Sequence, residues 1–200
     1  MLVKQLASPA YNKGAMIVSK IRTKLPDRNE ILPVFSTVLF FVFTWALYII
    51  IFYLPSWLGE MTAWDILTTT VYLLYFALFE SFIVTCTIVM LCFLLPASFF
   101  KNSFIPQGFS LVTLASLAAI MLHPRLNDLL SLDLQTLTIL LISMLAGTLF
   151  LIILLSFIYK HLPSLKRTVT ALAEKMTIFA YIYLPLGLLS LVAVIFKILF

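Results

Sequence analysis

Charged side chains are scarce in this sequence: Asp, Glu, Lys and Arg make up 10% of its 200 residues, against about 25% in an ordinary soluble domain. With 63% of the chain drawn from Ala, Val, Ile, Leu, Met, Phe, Trp, Tyr and Cys, a water-soluble globule would lack the polar surface to cover its own interior. That composition suits a lipid bilayer, where hydrocarbon meets most of the surface and helices satisfy their own backbone groups.

The other shortages narrow the chemistry. Cysteine is limited to Cys86 and Cys92, six residues apart in one apolar run. A helix turning about 100° per residue puts them on different faces, so they read as small core residues rather than a disulfide or metal pair. The two histidines, His123 and His161, are separated by a full apolar span. Assigned to opposite sides of the bilayer, they cannot share a metal or a haem iron. There are five glycines, but no G-x-G-x-x-G, P-loop, C-x-x-C, H-E-x-x-H or G-x-S-x-G pattern. No cofactor, no metal site and no enzymatic activity are therefore expected. Basic residues outnumber acidic ones, 13 to 8, yet no basic stripe is interleaved with aromatics as nucleic-acid stacking requires. Retention of Lys and Arg on the cytoplasmic face of a membrane explains the excess without nucleic acid.

What the sequence has in abundance is long apolar runs. The first, 31-54, holds 24 residues without a charge, about 36 Å of helix for a hydrocarbon core of roughly 30 Å. Pro33 is placed in its first turn, and Tyr53 and Trp57 suit an interfacial aromatic belt. An acidic link, Pro55 to Asp65, leads to a second span over 66-95, long enough to require tilt and stopped by Pro96. After a turn at Lys101 and Asn102, the third span, 105-122, is the shortest. It either extends back toward Phe99 or is re-entrant, and Ala115, Ser116, Ala118 and Ala119 favour close packing. The fourth span, 134-159, carries a small-residue patch of Ser143, Ala146 and Gly147, a candidate site of helix packing. Pro163 and Ser164 open an amphipathic stretch, with Ser164 as the expected N-cap. A fifth span follows over 177-196, where Pro185 and Gly187 predict a kink.

These runs predict an all-α, polytopic membrane protein with five transmembrane helices in one bundle: a basic segment over 1-30 and a transmembrane domain over 31-200. The apolar stretch after residue 30 is too long for a cleavable signal and is expected to stay as a helix. The chain stops soon after its last apolar run, so no extramembrane domain is expected. Placing the N-terminus in the cytoplasm puts eleven of the thirteen Lys and Arg residues on that side, all but Arg125 and Lys197. The C-terminus then lies opposite, as an odd number of crossings demands. The stretches Asn12 to Leu25 and Ser164 to Met176 mix apolar and basic residues, as helices lying on an anionic leaflet do. A plasma (inner) membrane of bacterial type is the expected location.

One ionisable residue stands out at mid-span. Glu80 interrupts the second run, and Asp65, Thr69, Tyr72, Phe76, Glu80 and Thr87 recur at three- and four-residue intervals, a semi-polar stripe on one helix face. A carboxyl at that depth is protonated and hydrogen-bonded to a neighbouring helix, is met by a partner subunit, or lines a path for protons or ions. The best-supported role is a non-catalytic subunit or scaffold, packing with other membrane-protein subunits or as a homo-oligomer among membrane lipids. The alternatives are a small transporter or channel using Glu80, Tyr72, Thr69 and Thr87, and a membrane anchor or lipid-handling protein.

Overall fold

The computed structural model describes residues 26–94, 103–123 and 133–199. Within them six helices follow one another and no strand occurs: α1 (Arg28–Glu60), α2 (Ala63–Leu94), α3 (Phe104–Leu122), α4 (Leu134–His161), α5 (Pro163–Lys175) and α6 (Thr177–Leu199). Five helical runs are long and apolar enough to cross a membrane, the last made of α5 and α6 together. An all-α, multi-pass membrane protein is the architecture consistent with them.

Local capping moves several boundaries away from those the apolar pattern implies. At the start of α1 the Glu30 carboxylate accepts from the Asp27 backbone N–H at 3.2 Å, which covers an otherwise orphan donor and starts the helix at Arg28. Pro33 therefore sits in the second turn, not the first. At the other end α1 runs on through Pro55 to Glu60. The acidic link shrinks to Met61 and Thr62 because Thr62 and Asp65 form a box at the head of α2. The Thr62 hydroxyl donates to Asp65 Oδ2 at 2.6 Å, and the Asp65 N–H donates to the Thr62 hydroxyl oxygen at 3.3 Å. At α5 the helix begins with Pro163 as its first residue and Leu162 as its cap, displacing the expected Ser164. Proline fits there because that N–H has no intrahelical partner to lose.

A two-residue connection makes α1 and α2 an antiparallel hairpin. Val34 and Val38 share a cluster with Ile88 and Cys92, and Leu39 and Phe43 share another with Leu74 and Ala77. Helix α6 runs parallel to α1, since Phe40 meets Phe179 at 4.6 Å and Phe43 stacks on Tyr183 at 5.1 Å. So does α3: Gly108 abuts Val34 near its start, and the His123 ring lies 5.1 Å from Trp45 at its end. At 19 residues, about 28 Å, α3 follows α1 without turning back. Helix α4 is antiparallel to α3, pinned by the Tyr159 hydroxyl, which donates to the Pro106 carbonyl at 3.3 Å and shares a hydrogen bond with Ser110.

α1 is the hub, packing on α2, α3, α5 and α6. Buried hydroxyls around it turn back on their own helices: Ser36 to the Leu32 carbonyl (2.7 Å), Thr37 to Pro33 (2.8 Å), Ser81 to Ala77 (2.7 Å), Thr85 to Ser81 (2.8 Å) and Ser190 to Leu186 (2.9 Å). Each is satisfied within its helix, so these groups call for no partner across the bundle. Helix α4 is divided. Its second half buries Ile152, Leu155 and Tyr159, whereas from Leu134 to Phe150 none of the described side chains is buried. α5 ends at Lys175 and α6 starts at Thr177, where the sequence places the entry of the fifth span, and α6 continues as helix through Pro185.

Candidate functional site

The side of α2 turned toward α1 and α6 buries Leu74, Ala77, Ser81, Thr85, Ile88 and Cys92, a set spaced by three and four residues. The opposite side carries the stripe anticipated from the sequence, extended by two residues that the polar pattern did not pick out, Ile83 and Met90. Phe76, Glu80, Ile83, Thr87 and Met90 are all exposed, and their 4-3-4-3 spacing is that of a seam between helices. Toward the start of α2 the stripe passes beside α6, where Thr69 and Tyr72 are half-buried and Lys197 Nζ lies 5.4 Å from the centre of the Tyr72 ring. The structure thus splits the four expected site residues, with Thr69 and Tyr72 bordering α6 and Glu80 and Thr87 facing away from the bundle.

Glu80 lies about 25 Å along α2 from Ala63, between the exposed rings of Phe76, Phe79 and Phe82. It makes no hydrogen bond or ion pair with any described residue. The Thr87 hydroxyl, in contrast, donates to the Ile83 carbonyl at 2.9 Å. The unmet polar demand on this face is therefore the Glu80 carboxyl alone. An ionisable residue at the centre of a bilayer costs about 2.5–3.5 kcal/mol on insertion scales, so its outward position calls for a compensating contact.

The small patch of α4 does not pack within this chain. Ser143, Ala146 and Gly147 are exposed, and a Cβ added at Gly147 would meet nothing within 4 Å. Ala115, Ala118 and Ala119 of α3 are exposed as well. Close helix approach occurs instead at Gly108, where a Cβ would come within 2.7 Å of Val34, and at Gly187, where it would be 3.0 Å from both Leu78 and Phe43. Sequence reading passed over Gly108 and took Gly187 for part of a kink. A usable signal was Gln107 beside Gly108, since a polar residue within an apolar span turns inward and carries its neighbours' register with it.

His123 and His161 sit at opposite ends of the bundle, the first against Trp45 and the second 4.4 Å from Phe157. Cys92 is buried, but Cys86 is exposed, which corrects the expectation that both are core residues. The six-residue offset turns one of them outward whenever the other faces in. Among the described residues no three His, Cys, Asp or Glu side chains gather as a metal site would require. Cations are sorted by end: Arg28, Lys160, Lys166, Arg167 and Lys175 lie where α1 begins and α4 ends, and Lys197 lies at the other end. Lys166, Arg167, Thr170 and Glu174 of α5 surround a depression of about 410 Å³ at the basic end. The basic stretch Asn12 to Leu25, the Lys101–Asn102 turn and Arg125 lie outside the described residues. Comparison with models of known families finds no match to this chain, and neither does comparison with curated proteins or with solved structures.

Proposed function

We propose that this protein is a non-catalytic membrane subunit or scaffold, joined to a partner through the outward face of α2. The observation that supports this reading is Glu80, a carboxyl at mid-span, exposed, unmet by any described residue and set in a 4-3-4-3 stripe of otherwise apolar or self-satisfied side chains. A partner helix carrying a donor at that depth relieves the insertion penalty. The free half of α4, with Ser143, Ala146 and Gly147, offers a second surface of the kind that lets backbones approach. A transport route through this chain alone loses support from the same fact, because Glu80 faces away from the interior.

The test is isolation from mild detergent with a photo-reactive side chain at Ile83. Wild type is expected to give a stoichiometric cross-linked partner, whether a different chain or a second copy. Glu80→Leu is expected to lower that yield at least about fivefold, the loss of roughly 1 kcal/mol of interhelical hydrogen bonding. A solitary monomer with no cross-link, or a yield indifferent to Glu80→Leu, rejects the reading.

The proposal places the N-terminus in the cytoplasm. It rests on five of the six described cations gathering at the end where α1 begins, together with the basic stretch that precedes α1 in sequence. A phosphatase reporter fused after Phe200 is then expected to be active outside the cytoplasm. Activity only for a cytosolic reporter at that position overturns the orientation.

A further inference from the structure

Between the first half of α2 and the last half of α6 runs a groove that shares Tyr72 with the polar stripe but does not include Glu80. Its origin is the contact at Gly187. There α6 presses against Leu78 and Phe43, and Val194 is the last residue of α6 to be buried. Beyond that point α6 has no further buried side chain, and a cleft of about 740 Å³ opens between the helices, a size typical of small-molecule sites.

Its lining is mostly apolar, with Leu67, Val71 and Ala193 among its walls, and Thr68, Trp64, Tyr72 and Lys197 supply its polar groups. Lys197 has its ammonium over the Tyr72 ring at 5.4 Å and within electrostatic reach of the Asp65 carboxylate. Asp65 is fully exposed and spends Oδ2 on Thr62. Trp64 is 69% exposed, an amphipathic ring of the type that settles at headgroup level.

From a mostly apolar trough that has Lys197 in its lining and the Asp65 carboxylate within electrostatic reach of that cation, we infer that this groove binds a zwitterionic glycerophospholipid. One acyl chain lies between α2 and α6, the phosphate sits at Lys197, and the headgroup ammonium sits at Asp65. Charge complementarity selects the headgroup. A lipid with phosphate alone satisfies Lys197 but brings its negative charge toward Asp65, whereas an ammonium-bearing headgroup matches both groups. Among the described residues Lys197 is the cation at this end.

The experiment leaves Trp64 as the fluorophore by replacing Trp45 and Trp57 with Phe in the full chain. This variant is reconstituted in vesicles of equal parts phosphatidylethanolamine and phosphatidylglycerol, in which a rising fraction of one lipid or the other carries brominated acyl chains. Brominated phosphatidylethanolamine is expected to quench Trp64 at a lower mole fraction than brominated phosphatidylglycerol, by roughly fivefold. Lys197→Gln is expected to weaken quenching by both, and Asp65→Asn to erase the preference between them. Equal quenching by the two lipids, preference for the glycerol headgroup, or indifference to both substitutions overturns the site. Should the double Trp variant fail to fold, native mass measurement of the unaltered chain in detergent reads the same proposal. One phosphatidylethanolamine is expected to be retained by wild type and lost from Lys197→Gln, and equal retention by both chains overturns it.

Discussion

Gly108→Leu is expected to keep the bundle from assembling, while Gly147→Leu is expected to leave its stability unchanged. Both glycines lie inside apolar helices, and by propensity alone either substitution gains up to about 1 kcal/mol. Their surroundings decide the sign. At Gly108 a single Cβ would already stand 2.7 Å from Val34 Cγ2 and 3.0 Å from Cγ1, and Val34 is wholly buried, so its branched side chain has no room to turn away. Overpacking of this sort costs about 1–3 kcal/mol for modest additions, and three further carbons of leucine drive α1 and α3 apart at the point where α3 begins its run along the hub. At Gly147 the added atoms meet no neighbour. The measurement is unfolding of purified variants in mixed detergent micelles, followed by helix content and by protease resistance. Gly108→Ala paired with Val34→Ala is the companion, expected to recover most of what Gly108→Ala loses, because neighbours that share a cavity are coupled. Equal stability of Gly108→Leu and Gly147→Leu would show that the α1–α3 contact is not part of the folded protein.

Phe43→Ala is expected to destabilise the bundle by about 2 kcal/mol, less than the roughly 3–5 kcal/mol typical of a soluble core. Phe43 is fully buried, stacks on Tyr183 at 5.1 Å and lies against Gly187, so α1, α2 and α6 meet around it. In water the cost of removing such a ring combines transfer with cavity formation. In a bilayer the transfer part nearly vanishes, since the separated helices still hold the ring in hydrocarbon. What is lost is dispersion contact and packing, at about 24 cal/mol for each Å³ left empty. Phe52→Ala, at a ring 62% exposed on the same helix, is the control, expected to change stability little. A loss of equal size for the two variants would mean that α1 does not bury Phe43 in a shared core.

Much of this structure was legible before folding was considered. The spans at 31-54, 66-95, 134-159 and 177-196 each fall within a helix of the structure, apart from residue 95, which lies outside the described residues. Length and apolarity suffice to find such runs because a backbone in hydrocarbon must close its own hydrogen bonds. The amphipathic break before the fifth span was legible for the same reason, as Lys166, Arg167, Glu174 and Lys175 have to stay near water. Helix ends were harder. Pro55 and the acidic residues after it looked like a link, but the Thr62–Asp65 box supplies the donors and acceptors that let α2 start almost where α1 stops. The D-x-x-E at Asp27 likewise outweighs the apolar boundary at Ile31.

The candidate site was legible as a stripe but not as a direction. Three- and four-residue spacing places Asp65, Thr69, Tyr72, Phe76, Glu80 and Thr87 on one face whatever surrounds the helix. Whether that face meets a sister helix or looks outward depends on how α1 and α6 rotate α2, and every face of an apolar span is greasy enough to be either. The small-residue patches fail for the same reason: Ser143, Ala146 and Gly147 permit an approach without compelling one.

Composition and segment length by themselves determined that the chain forms long apolar helices suited to a bilayer, how many runs are long enough to cross one, and which residue would be costly at mid-depth, because those depend on transfer free energies and segment length alone. Only tertiary packing decided that α1 is the hub, that Gly108 and Gly187 have no room for a Cβ while Gly147 does, that Glu80 turns away from its own bundle, and that Lys197 comes to rest over Tyr72 beside a groove. In a solvent as apolar as the core, rotation about a helix axis is chosen by the fit of one surface against another, and that fit exists only once the helices are side by side.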